Sequence, residues 1–161
     1  IMMGPMARAL VEAGHGQFVS KEQAIEYFDK MHQLGTVPTT KNASYGDFVI
    51  CLCCGCCCSM TRGRIKWGNP DAVAPSNFIP KAGDDCMGCG ACTEECFFDA
   101  LTMDDEIDKP MVEADKCVGC GMCTFVCPQE TLKLHRHERH TIKHADSKQL
   151  DETIYRENRE K

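Results

Sequence analysis

Cys86, Cys89, Cys92 and Cys96 are followed, 31 residues further on, by Cys117, Cys120, Cys123 and Cys127, so the spacing C-x-x-C-x-x-C-x-x-x-C occurs twice. The segments "CMGCGACTEECFFDALTM" (86–103) and "CVGCGMCTFVCPQETLKL" (117–134) align without gaps and agree at eight of eighteen positions. Such a repeat predicts two halves related by a pseudo-twofold axis. Three cysteines at steps of three wrap a loop around three corners of a four-iron cubane, and the fourth thiolate has to arrive from elsewhere. In the two-cluster arrangement the fourth cysteine of each run ligates the other cluster. Cluster I then takes Cys86, Cys89, Cys92 and Cys127, and cluster II takes Cys117, Cys120, Cys123 and Cys96, each a [4Fe-4S] centre.

The glycines of the repeated C-x-G-C-G-x-C pattern belong to the same reading. Gly88, Gly90, Gly119 and Gly121 supply positions without Cβ, where a loop can fold its backbone over a cluster and direct N–H groups at the sulfurs. Two other chemistries compete for the cysteines. Zinc sites also use C-x-x-C steps, but seldom three such steps in succession closed by x-x-x-C, twice in one chain. A disulfide framework would scatter cysteines through loops rather than repeat short steps.

On these residues, 81–134 resembles the bacterial-type 2[4Fe-4S] ferredoxin family. The resemblance implies an α+β fold with two short antiparallel strand pairs and two short helices after the third cysteines, with Asp99-Ala100-Leu101 leading into a strand. Its pattern departs from the family at one point. Cys127 is followed by the usual Pro128, but Cys96 is followed by Phe97, which predicts a different loop shape beside cluster II with ligation intact. Few large apolar side chains lie in 81–134, so the clusters are expected to hold this unit together.

Six further cysteines crowd into "CLCCGCCC": Cys51, Cys53, Cys54, Cys56, Cys57 and Cys58. Continued as a helix, this segment would set Cys54 on one face with Cys57 and Cys58 and direct at most two or three thiols at one centre, with Cys51 adding one more from a preceding strand. The radical-SAM spacing C-x-x-x-C-x-x-C fails, because it would need cysteine at Met60 or Thr61. The succession of a "G-x-x-x-S-K-E-x-A" helix start, a strand into C-x-C-C-x-C-C-C, "SNF" and the double cysteine run resembles an uncharacterised family of 4Fe-4S-binding proteins from anaerobic bacteria and archaea. Those proteins are longer and carry a C-x-C-R segment upstream. The resemblance implies that this chain, opening on Ile1, is an N-terminally truncated fragment. It also implies that Cys51 to Cys58 supply ligands to a third iron-sulfur centre completed elsewhere.

The remaining segments give the organisation. Residues 1–63 form a helical region ending in the cysteine-rich strand-to-helix motif, 64–80 a linker rich in Gly and Pro, 81–134 the double-run unit, and 135–161 a charged tail, helical or disordered. Ser20 with Gln23 is a capping-box pattern, and Ala24, Tyr27, Phe28, Met31 and Leu34 recur as a helical core stripe until Gly35. "DFVICL" predicts a buried strand, and Trp67 is expected to pack. His135, His137, His140 and His144 fit a solvated polar tail better than a zinc or nickel helix, since Arg136, Glu138 and Arg139 are interleaved.

Formal charge is −6, and Asp84 to Asp115 holds eleven acids against Lys109 alone. That excludes nucleic acid as a partner for this face and favours a redox protein with a basic docking face. No run is long and apolar enough to span a membrane, no nucleotide fingerprint occurs, and no acid-base pair sits in an apolar setting. The chain therefore reads as a cytoplasmic carrier of single low-potential electrons, or as a subunit of an oxidoreductase complex. Its alternative is the electron-feeding part of a redox enzyme whose Cys51–Cys58 motif holds a third, catalytic cluster.

Overall fold

A computed structural model describes residues 1–45, 49–137, 139 and 144–160. In chain order the elements are α1 (Gly4–Glu12), α2 (Lys21–His32), β1 (Val37–Thr39), β2 (Ala43–Tyr45), β3 (Cys51–Cys53), α3 (Ser59–Ile65), β4 (Phe78–Ala82), α4 (Ala91–Glu94), β5 (Leu101–Asp104), β6 (Lys109–Val112), α5 (Met122–Phe125), β7 (Leu132–Arg136), β8 (His144–Asp146) and α6 (Ser147–Glu160). Short helices and two-stranded sheets make a mixed α+β chain. It divides into two compact units. The first comprises Ile1–Leu34, Pro38–Leu52 and Ile142–Lys161, and the second Gly35–Val37 and Cys53–Thr141.

In the first unit the expected capping box is present. Ser20 Oγ accepts from the Gln23 N–H at 3.2 Å and Gln23 Oε1 accepts from the Ser20 N–H at 2.9 Å, so two otherwise unpaired donors of the first turn of α2 are satisfied. Two helices lie in residues 1–35. α1 stops before Gly14, which takes a left-handed φ of 78°, and α2 begins at its own cap. The anticipated core stripe is only partly realised. Ala24, Phe28 and Met31 are half-buried, while Tyr27 and Leu34 are 48% and 68% exposed. Helical period locates the apolar face but not what covers it.

β2 runs parallel to β8, with Ala43 opposite His144 and Tyr45 opposite Asp146. α6 follows β8 directly, and the Gln149 N–H donates to Asp146 Oδ1 at 2.8 Å near its start. Within the expected strand "DFVICL", Asp47 and Phe48 lie outside the described residues. Val49 bridges to Met2, and β3 spans Cys51–Cys53, paired with β1.

The second unit carries the repeat into three dimensions. β4 pairs antiparallel with β7, from Phe78 opposite Arg136 to Ala82 opposite Leu132, and β5 pairs antiparallel with β6, from Leu101 opposite Val112 to Asp104 opposite Lys109. Adding the repeat offset of 31 to the starts of β4, α4 and β5 gives the starts of β6, α5 and β7. Even the unusual backbone repeats: Asp99 and Glu130, one offset apart and each two residues before a strand, have left-handed φ values of 48° and 52°. The core is small, and half of it is sulfur-bearing. Cys92, Leu101, Cys123 and Leu132 are buried together, with Ala82, Cys96, Val112 and Cys127 packed against them.

Between the cysteine turn and β4, α3 and a 3-10 turn at Pro70–Ala72 occupy the Gly/Pro-rich stretch. Arg64 holds this stretch in place. Its guanidinium donates to the Pro70 carbonyl and, at 2.7 Å, to the Asp115 carbonyl just ahead of Cys117. Trp67, expected to pack, is 65% exposed, with the Arg62 guanidinium 5.4 Å from its ring centre; a neighbouring cation, not a core, covers it. Ser20→Ala should cost about 1 kcal/mol of local helix stability. Faster amide exchange confined to the first turn of α2 would register it, and Ser20→Asp should restore protection.

Candidate metal centre

Two cavities, each about 360 Å³ out to their open mouths, lie in the second unit. One is lined by Cys86, Cys89, Cys92 and Cys127, among Met87, Met103, Pro110 and Leu132. The other is lined by Cys117, Cys120, Cys123 and Cys96, among Pro80, Phe97, Phe98 and Leu101. Each thus gathers three cysteines of one run and the last cysteine of the other. In each run the third cysteine lies within a single helical turn, α4 or α5, and the fourth follows two residues past its end.

Both runs use the same backbone devices. Gly90 and Gly121 precede α4 and α5 in the left-handed conformation, at φ 76° and 88°, and Thr93 and Thr124 hydroxyls donate back to their carbonyls at 2.7 Å. The first glycine of each run has a different reason. A methyl at Gly119 would collide with the Phe78 carbonyl and the Ser76 hydroxyl, and one at Gly88 would meet the Asp108 carbonyl at 2.9 Å. These two residues let the cysteine loop lie against neighbouring backbone. The repeated threonines were legible as identical letters in the aligned halves. Arg64 and Arg139 were not, because an arginine reaching backbone carbonyls leaves no pattern; Arg139 donates to the Cys117 carbonyl.

The donor set suits a thiophilic group, and its electrostatics show what such a group must overcome. Burial pushes the Cys123 thiol up to about 12, with the neighbouring sulfurs of Cys120, Cys96 and Cys117 acting in the same direction. Burial likewise pushes Cys120 up to about 11 and raises Cys92. For Cys127, burial acts upward but is outweighed by hydrogen bonds from the Leu132 and Thr131 backbone and the Thr131 hydroxyl, which hold the thiol below its ordinary value. The equivalent Cys96 accepts from the Ala100 N–H at 3.4 Å. Iron or zinc binds thiolate, so loading these pockets expels protons and is favoured as pH rises.

The six-cysteine stretch folds as strand, turn and helix. β3 ends at Cys53, Cys54 to Cys58 make a turn, and α3 starts only at Ser59. The helical continuation is therefore replaced by a tighter turn, which draws together Cys54, Cys56 and Cys57 instead of Cys54, Cys57 and Cys58. Cys54 Sγ lies 3.0 Å from the sulfurs of both Cys56 and Cys57. Hydrogen bonds from those two thiols and their backbone lower Cys54 to about 6, while Cys57, on the other side of the same contact, rises to about 11. Cys58 pairs with Cys53, and Cys51 is exposed on β3.

Of the histidines, His135 is exposed in β7, the His137 N–H donates to the Asn77 carbonyl, and His144 is buried in β8; His140 lies outside the described residues. The described part of 135–146 contains no α-helix.

Two glycine substitutions separate loop flexibility from close approach. Gly119→Ala should strip metal-binding capacity and lower the melting temperature well beyond Gly90→Ala, which meets only the Thr93 hydroxyl at an ordinary contact of 3.9 Å and incurs only the left-handed penalty of about 1 kcal/mol. Iron retention and thermal unfolding of the two variants check this.

Compared with protein families, residues 85–131 match the 4Fe-4S dicluster domain, under a third of the chain. Comparisons with curated proteins and with solved structures gave no match. The matched segment contains all eight cysteines of the two cavities. It is a metal-binding, ferredoxin-type iron-sulfur segment, and segments of this type serve electron transfer.

Proposed function

We propose that this chain is an iron-sulfur electron carrier or carrier subunit, with two [4Fe-4S] clusters held by Cys86, Cys89, Cys92 and Cys127 and by Cys117, Cys120, Cys123 and Cys96. The observation that supports this most directly is that each cavity collects four cysteines in the three-plus-one pattern of the paired runs. When bound, such clusters take up and release single electrons.

The chain's own residues do the rest. Leu101, Leu132, Phe97 and Phe98 keep water from the sulfurs, and backbone N–H groups near Cys96 and Cys127 donate to them. Nine of the eleven acids between Asp84 and Asp115 are exposed, so the surroundings disfavour added negative charge and bias the unit to low potential. The same face suits a redox partner with a basic docking surface, whose association would weaken with salt. None of the fourteen cysteines is joined in a disulfide, and among the described residues no helix is long and apolar enough to cross a membrane. A reducing, cytoplasmic setting fits that chemistry.

Anaerobic reconstitution should give about eight irons and eight sulfides in the cavities, with reduced-state spectra of two interacting centres. Cys127→Ser should perturb the centre of the first run and leave that of the second; if it perturbs only the second, the crossed assignment is wrong. Chelation of the iron should unfold the second unit, seen as loss of its protected amides, with uptake on reloading tightening as pH rises.

A further inference from the structure

We propose that Cys54, Cys56 and Cys57 form a mononuclear site for one soft divalent cation of the zinc type, separate from the two cavities. Sulfur spacing points to it. Four ligands at a Zn–S distance of about 2.3 Å stand ~3.8 Å from one another in a tetrahedron. The three sulfurs here all lie within 4.8 Å of one another, two of the pairs at 3.0 Å, close enough for one ion to reach all three after a small outward movement of the thiols. A cubane instead places each thiolate on a different iron and keeps the sulfurs apart. Among the described residues no other three histidine, cysteine, aspartate or glutamate side chains bring their ligand atoms so close together, and that includes the eight cavity cysteines. One chain thus carries thiols at two spacings, the wider suited to a cluster and the closer to a single ion.

The turn is built to hold this arrangement. Gly55 has no side chain, and a Cβ there would touch Ile65 of α3 at 3.4 Å and the Phe97 ring at 3.5 Å, so the turn rests on apolar side chains. Cys56 and Cys57 are exposed and Cys54 half-buried, which leaves the sulfurs open to an entering ion. Phe97 is the residue that stands where the other run has Pro128, and it also lines the cavity of Cys96. The departure from proline thereby gains a role as the seat of the thiol turn. Cys58 and Cys53 engage each other, so the three thiolates leave the fourth corner of the tetrahedron to water or an incoming ligand.

The full chain, reconstituted anaerobically with iron and sulfide, is titrated with zinc against a chromogenic chelator, and bound metals and alkylated cysteines are counted by mass spectrometry. One zinc per chain is expected, with Cys54, Cys56 and Cys57 shielded from iodoacetamide. Cys56→Ser and Cys57→Ser should each weaken zinc retention by roughly an order of magnitude, with the about eight cavity irons unchanged and Cys51→Ser behaving as the parent. The proposal is overturned if the triple serine variant at 54, 56 and 57 retains as much zinc as the parent. It is equally overturned if that variant drops from about twelve irons to about eight, which would mark an iron-sulfur cluster, or if the parent carries a disulfide within the trio. Loss of the eight irons in the parent chain would instead count against the carrier reading alone.

Discussion

The second unit depends on a conflict between burial and charge at sulfur. Its core pairs Cys92 and Cys123 with Leu101 and Leu132, so the side chains that exclude water are the ones that must ionise to bind metal. Burial alone keeps such thiols neutral, as the upward displacement of Cys120 and Cys123 shows. A bound metal resolves the conflict, because thiolate charge is neutralised where it forms. With the proposed clusters bound, folding and cofactor binding in this unit would be one equilibrium, since a core of a few leucines and valines is small for a domain of this size.

The first unit rests on other means. Its order comes from a helix cap, a short parallel pairing and a few half-buried apolar side chains, none of which involves sulfur ligation. Loss of metal should therefore be felt unevenly along the chain. The glycines follow the same division. Gly14 ends a helical segment, whereas Gly88 and Gly119 exist because backbone passes where a side chain would sit.

What was legible in the sequence was whatever repeats. The offset of 31 residues placed eight cysteines, two glycine pairs, two helical turns and the left-handed positions at Asp99 and Glu130 into register, because each half obeys the same local geometry. The turn at Cys54 to Cys58 could not be read in this way. Six cysteines carry no periodicity, and in the turn they adopt Gly55 lies against Ile65 and Phe97, contacts that local spacing does not announce. The stripe on α2 and the exposure of Trp67 failed for a related reason: burial is decided by what lies opposite. Ser20 with Gln23 succeeded because a cap closes within three residues.

The parallel pairing of β2 with β8 brings residues 43–45 beside residues 144–146, so the cysteine-bearing part of the chain is a loop with a closed neck. The entropy of closing a loop grows only logarithmically with its length, by about 0.6 kcal/mol for each doubling. The closure itself is another matter: for a disordered interior of about a hundred residues it costs on the order of 4 kcal/mol, which a compact interior does not impose. Emptying the cavities would therefore load that cost onto a pairing of three residues a side, and the order gained around returning metal would relieve it.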